Sequence, residues 1–162
     1  MDELEKVLAA SLSGQAKGQA VKEFTKCLAG WHITMPPAEA VVQDFGLGDF
    51  RKHGLIECWV ANETAAGYCG KFLFVFDAQT CPAHHRMKHE TFYVMHGKIR
   101  MTLESADRVM KPGDVQAILP GAPHSFLGIG PALLLEVSQP CLLDDNYLAN
   151  TRIPIGGNYI RS

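Results

Sequence analysis

The stretch CPAHHRMKHETFYVMHG, residues 81–97, gathers His84, His85, His89 and His96 around one carboxylate, Glu90. Imidazole nitrogens and a carboxylate oxygen are the donors that grip a divalent cation while leaving positions open to a substrate. A further histidine, His124, follows the turn-forming run Leu119-Pro120-Gly121-Ala122-Pro123, as a ligand delivered from a distant strand would. The competing reading is a set of surface and core histidines that are neighbours only in sequence. Glu90 favours the metal, because it lies amid apolar strand residues, where an unpaired carboxylate is costly to bury. His32, His53, His89 and His96 are assigned to solvent or to packing. Cys81 lies near these donors with no base to activate it, and Ser125 lacks the surroundings of a nucleophile.

Donors this far apart in sequence meet only if strands carry them inward. From about residue 39 the chain supplies short apolar or alternating runs: LIECWVA, KFLFVFD, TFYVMHGKIRMTL, VQAILP, HSFLGIG and ALLLEVSQ. Gly, Pro, Asn and Asp separate them, with no helix-length pattern between, which predicts an antiparallel sandwich or barrel. Gly97 is expected at a tight turn, and the tail after Gln139 on the outside of the barrel. Before residue 39 the periodicity is helical. Asp2 caps a helix over 2–12 with Leu4, Val7, Leu8 and Leu12 on one face, and Gly14 and Gly18 interrupt it. A second helix follows with Val21, Phe24 and Leu28, closed by Gly30. The expected organisation is a helical extension over 1–38 and a β-barrel domain over 39–162.

The chain's 162 residues suffice for one domain with its own core, and 47% apolar and 20% charged residues are ordinary for a globular protein. A formal net charge of −2 gives no reason to expect nucleic acid or an anionic membrane surface as partner. No apolar run approaches the roughly 20 residues that span a bilayer. The acidic, amphipathic start does not read as a secretory signal or transit peptide, so a cytoplasmic location is expected. The five cysteines are widely spaced, form no CxxC pair, and read as reduced thiols.

The turns and donors together resemble the cupin family of small β-barrels. Its first motif runs Gly, five residues, His-x-His, three or four residues, Glu, six residues, Gly. Its second runs Gly, five residues, Pro-x-Gly, two residues, His, three residues, Asn. His84, Glu90 and Gly97 fit the first, with Ala78 in the leading Gly slot. Gly113, Gly121 and His124 fit the second, with Leu119 in the Pro slot and Gly128 in the Asn slot. The resemblance covers roughly residues 70–138 and implies an all-β, double-stranded β-helix (jelly-roll) barrel. It implies metal ligands drawn from His84, His85, Glu90 and His124. Counting forward from Ala78 puts Arg86 in the second His slot; counting back from Glu90 puts His85 there. Both readings stay open, and an Arg in that slot would repel a divalent ion.

A narrower resemblance, carried by QDFGLGDFRKHGL, YCGKFLFVFDAQTCPAHHRMKHETF and LLLEVSQPCLLDDN, is to the D-lyxose ketol-isomerase group. It implies a divalent metal, manganese first with iron, zinc or nickel as alternatives, and interconversion of a small aldose with its ketose. A proton must then pass between adjacent carbons, and with Glu90 given to the metal the candidate base is Glu136 in LLLEVSQ. The alternative places Glu136 on the solvent face of an edge strand. Lys88 is the candidate that fixes a sugar hydroxyl or balances the intermediate's charge, against a solvated loop lysine. A homodimer is expected, because small cupins pair through sheet edges. Two other functions fit the same barrel: an Fe(II)-dependent dioxygenase and a non-catalytic metabolite-binding cupin.

Overall fold

The computed structural model describes residues 2–157. Helix α1 (Glu3–Ala9) opens with a reciprocal cap: the Glu5 N–H donates to the Asp2 carboxylate at 2.8 Å, and the Asp2 N–H to the Glu5 carboxylate at 3.0 Å. Helix α2 (Gly14–Gly30) begins earlier than its apolar spacing suggested and runs straight through Gly18. Burial of Ala20, Phe24 and Leu28 outweighs the roughly 1 kcal/mol that an internal glycine costs. The helical segment is packed onto the sheet. Phe24 meets Phe74 with ring centroids 4.9 Å apart, and the Leu12 N–H donates to the Val42 carbonyl at 2.9 Å.

Among the described residues nine strands follow: β1 (Ala40–Gln43), β2 (Leu55–Glu63), β3 (Tyr68–Val75), β4 (Thr80–His85), β5 (Glu90–Leu103), β6 (Ala106–Met110), β7 (Val115–Ile118), β8 (His124–Ser138) and β9 (Tyr147–Leu148). They form one antiparallel sheet in the order β1-β2-β3-β8-β4-β9, with β5 joining β6, β7 and β8. β8 organises it. One edge follows β5 from Leu103↔His124 to Glu90↔Ser138, and the other serves β3 through 132–138 and β4 through 124–127. The sheet curls on itself as a jelly-roll barrel, as expected.

Gly97 sits inside β5 rather than at a turn. Its φ of 75° falls where the β5–β8 register slips between Val94 and Lys98, a bulge that bends the strand round the barrel. A Cβ there would run into the Pro131 carbonyl and Ala132, so only glycine fits.

β3 and β8 read as nearly continuous apolar runs because both faces are covered. Leu73, Val75 and Leu134 fill the barrel with Phe92, Ile99, Met101 and Phe126, while Phe74 and Leu133 pack under α2. The barrel mouth is closed by α1 and the chain after β8. Val7 clusters with Trp59, Val41, Cys69 and Cys141, and the Leu143 N–H donates to the Glu3 carboxylate at 2.8 Å. The tail is therefore not simply external: Cys141, Ile153 and Ile155 are buried. None of the cysteines is in a disulfide. Among the described residues no helix is long and apolar enough to cross a membrane.

Candidate functional site

From Ala83 to Glu90 burial alternates strictly. His84, Arg86, Lys88 and Glu90 are buried, whereas Ala83, Met87 and His89 are exposed and His85 is half-buried. The period-2 geometry of β4 is kept through the bend at Met87 and Lys88, and every second residue enters the barrel. His84 pairs with His124 across β4 and β8, so their rings meet with centroids 4.3 Å apart. Glu90 begins β5 and turns its carboxylate to the same point, Oε2 lying 3.4 Å from His124 Nε2.

His84, Glu90 and His124 thus offer three ligand atoms within 4.8 Å of one another. The rings are oriented for that purpose. His84 Nδ1 donates to the Pro82 carbonyl at 2.8 Å and His124 Nδ1 to the Ala122 carbonyl at 3.0 Å, which leaves each Nε2 as the lone-pair nitrogen. Burial, with His124 and Arg86 nearby, holds His84 well below the usual histidine range. Burial also lowers His124, although Glu90 partly opposes it. Neutral rings are what a cation needs. Glu90 Oε2 and His124 Nε2 are buried without a hydrogen-bond partner, an expensive arrangement unless something binds there. The donor set therefore fits a divalent cation.

The adjoining wall is an ion-pair network. Lys71, 2% exposed, lies across the β3–β8 register from Glu136 and across β2–β3 from Trp59. Its Nζ is 3.3 Å from Glu57 Oε2, 3.3 Å from Glu136 Oε2 and 5.7 Å from the Trp59 ring centroid. Trp59 Nε1 also donates to Glu57 Oε2, at 2.7 Å. Lys88 Nζ donates to Glu136 Oε1 at 3.0 Å and Ser138 Oγ at 2.9 Å, and stands 3.4 Å from Glu90 Oε1. Burial would raise the Glu136 carboxyl, but Lys71, Lys88 and Arg86 outweigh it and hold the group far below the usual carboxylate range. Burial likewise opposes the Lys71 charge, and Cys141, Glu136 and Glu57 overcome it.

Both walls enclose a cavity of about 40 Å³, lined among others by His84, Arg86, Glu90, Lys71, Glu136 and Val7. Gln43 and Asn146 line it too, and Gln43 Oε1 and Asn146 Oδ1 are buried without partners. Four unpartnered acceptors thus surround the site, and acceptors are satisfied by a cation or by hydroxyl donors.

Of the residues singled out in the sequence, His84, Glu90 and His124 come together, and Lys88 and Glu136 join in the adjoining network. Glu136 faces the interior, 2% exposed, and Lys88 is buried rather than solvated. His85 does not join them. It points away from the barrel and stacks on Tyr147, ring centroids 5.0 Å apart, because neighbours on a strand face opposite sides. The residue that follows His84 inward is Arg86. His96 packs against Trp31 at 4.0 Å. Glu57 and Lys71 were missed, although each is a lone charge in an apolar strand, the signal that marked Glu136. Gln43 and Asn146 carry no such signal.

A family model described as a cupin domain matches residues 72–138. The chain is 31% identical over 156 residues to the D-lyxose ketol-isomerase of Cohnella laeviribosi, covering 77% of this chain and 83% of the relative. The L-ribose isomerase of Cellulomonas parahominis, solved with L-ribose, shares the fold with a TM-score of 0.73 and 14% identity, over 94% of this chain and 98% of that one. A mutant L-ribose isomerase of Acinetobacter sp. DL28, in complex with L-ribose, gives 0.67 and 14% over 81% and 82%. At such identities the structural likeness speaks for the fold alone. Fold, motif and the likeness to the Cohnella enzyme over most of both chains together show that this chain belongs to the cupin superfamily, in the family of D-lyxose ketol-isomerase.

Proposed function

We propose that this protein is a metal-dependent isomerase that interconverts a small aldose and its ketose. One observation carries the reading: His84 and Glu90, of a two-histidine, one-carboxylate cluster with two unpartnered atoms, line the same cavity as the lysine-clamped carboxylate Glu136. His84, Glu90 and His124 would hold the cation, manganese first. When bound, a divalent cation polarises the sugar carbonyl and acidifies the neighbouring C–H. Glu136 takes that proton and returns it to the adjacent carbon. Lys71 and Lys88 keep that carboxylate ionised and so able to accept a proton, though at reduced basicity, since a general base works best with a pKa near the operating pH. As Glu136 is neutralised, negative charge moves onto the sugar, and the same ammonium groups remain close to stabilise it. Gln43 and Asn146 offer acceptors to sugar hydroxyls.

The cavity has room for roughly three water molecules. A pentose therefore enters only when the cover formed by Val7, Leu143 and Asn146 moves aside. Incubating the Mn²⁺-loaded protein with pentoses and hexoses and assaying for ketose tests the reading. Glu136→Gln should lower kcat by about 10²–10⁴-fold with KM little changed.

One observation favours a second reading. Two histidines and a carboxylate with open positions are also the donor set of non-haem Fe(II) oxygenases. Oxygen uptake by the Fe(II)-loaded protein, with no ketose formed from any sugar under Mn²⁺, would favour it over the isomerase.

A further inference from the structure

Position 86 is where this chain departs from the His-x-His pair. The slot that would present a second imidazole to the cation holds Arg86, 8% exposed, its Nε 3.7 Å from Glu90 Oε1. A guanidinium cannot ligate a metal, and it adds a positive charge at the place where one is being gathered.

The buried charges around the cavity already cancel without a cation. Lys71, Arg86 and Lys88 stand against Glu57, Glu90 and Glu136, all of them buried. Asp44, also buried, is occupied elsewhere, accepting from the N–H groups of Gly46 and Gly48 in its own loop. With neutral histidines, a divalent cation brings two positive charges into an interior whose Glu57, Glu90 and Glu136 are already matched and whose Cys141 sulfur is already engaged by Lys71 at 3.7 Å and Arg86 at 3.8 Å. In a low-dielectric cavity such an excess is costly, and a monoanion entering with the cation halves it. A histidine at position 86 would leave one carboxylate uncompensated and offset half of the cation's charge. Arg86 is also placed to receive the anion. Nη1 is anchored on the carbonyls of Leu142 at 3.2 Å and Asp145 at 3.4 Å, and the side chain lines the cavity with a planar fork of donors suited to a carboxylate.

We propose that Arg86, in the slot of a second imidazole, makes this a three-ligand centre that takes its divalent cation together with an anionic oxygen ligand of the 2-hydroxycarboxylate class. The proposal rests on the metal reading above and deepens it. Cation and anion are thermodynamically coupled, each tightening the other by the same factor. For an isomerase this favours the anionic form that a sugar passes through over the neutral sugar itself.

The test is calorimetric titration of the metal-stripped, full-length protein with Mn²⁺, alone, with glycolate, and with ethylene glycol as neutral control. The ion's own affinity for glycolate is subtracted. Glycolate should tighten Mn²⁺ binding about tenfold or more, while ethylene glycol leaves it unchanged. Arg86→His should bind Mn²⁺ alone about tenfold more tightly and lose most of the glycolate effect, whereas Arg86→Lys, which keeps the charge without the planar fork, keeps part of it. Equal Mn²⁺ affinity with glycolate and with ethylene glycol in the unsubstituted protein overturns the proposal, as does a full glycolate effect in Arg86→His. If Arg86→His proves unfolded by circular dichroism, the glycolate comparison in the unsubstituted protein and in Arg86→Lys decides. Tight binding indifferent to anions removes only this inference, whereas failure to bind Mn²⁺ under every condition removes the metal reading beneath it.

Discussion

Two walls of one cavity are equally buried and oppositely finished. On the Lys71 wall the carboxylates are matched: Glu136 receives Lys71, Lys88 and Ser138, and Glu57 receives Lys71 and Trp59. On the His84 wall, Glu90 Oε2 and His124 Nε2 stand 3.4 Å apart without a hydrogen-bond partner, although both rings are fixed from behind by backbone carbonyls. Burial is the same on both sides, so the difference lies in what each wall is complete with. The lysine wall is complete as folded. The histidine wall presents donors that a cation would complete.

This contrast predicts that the walls fail differently. Lys71→Met would leave Glu57 and Glu136 buried without their shared cation, and should cost about 3–5 kcal/mol in urea denaturation of the metal-free protein. Glu90→Gln should cost clearly less in the same assay. Comparable losses for both would erase the distinction.

Acid should attack the histidine wall first. Both rings are neutral in the fold with lowered pKa values, so as pH falls below about 6.5 the unfolded chain takes up protons before the folded one does. Stability is full above that point and declines by about 1.4 kcal/mol per pH unit for each ring, until its folded-state pKa is reached. Glu136, also depressed, adds to the loss only below its ordinary value of 4.5. Urea midpoints of the metal-free protein at stepped pH values between these two should show the decline, shallower in His124→Gln. A flat profile would mean the rings are not held neutral.

The smallest effect belongs to His85. Its ring stacks on Tyr147 outside the barrel, so His85→Ala should cost about 0.5–1.5 kcal/mol and leave metal content unchanged.

The barrel and the inward gathering of His84, Glu90 and His124 were legible in the sequence, whereas the sequence left Glu136 between an interior and a solvent-facing placement, and the fold buries it. Turn residues punctuate the strands, and a lone carboxylate in an apolar run must face something polar. The His84-His85 doublet was ambiguous by motif counting, yet strand alternation resolves it, since residues two apart share a face. Glu57 in LIECWVA and Lys71 in GKFLFVF carried the same lone-charge signal as Glu136 and were overlooked. The cover of the barrel was not legible, because its contacts are too distant in sequence: Glu3 meets Leu143, and the tail expected outside buries Cys141, Ile153 and Ile155. Gln43 and Asn146 acquire meaning only from the cavity they line. Gly18 shows local chemistry overruled, its helix-breaking tendency yielding to the buried face of α2.

Metal content measured by mass spectrometry, on the protein and on Glu90→Gln purified side by side from manganese-supplemented medium, tests most directly whether the histidine wall is completed by a cation. The expected result is about one divalent ion per chain in the former and under about a tenth of one in the latter. Equal content in the two, or none in either, would contradict a metal centre at His84, Glu90 and His124.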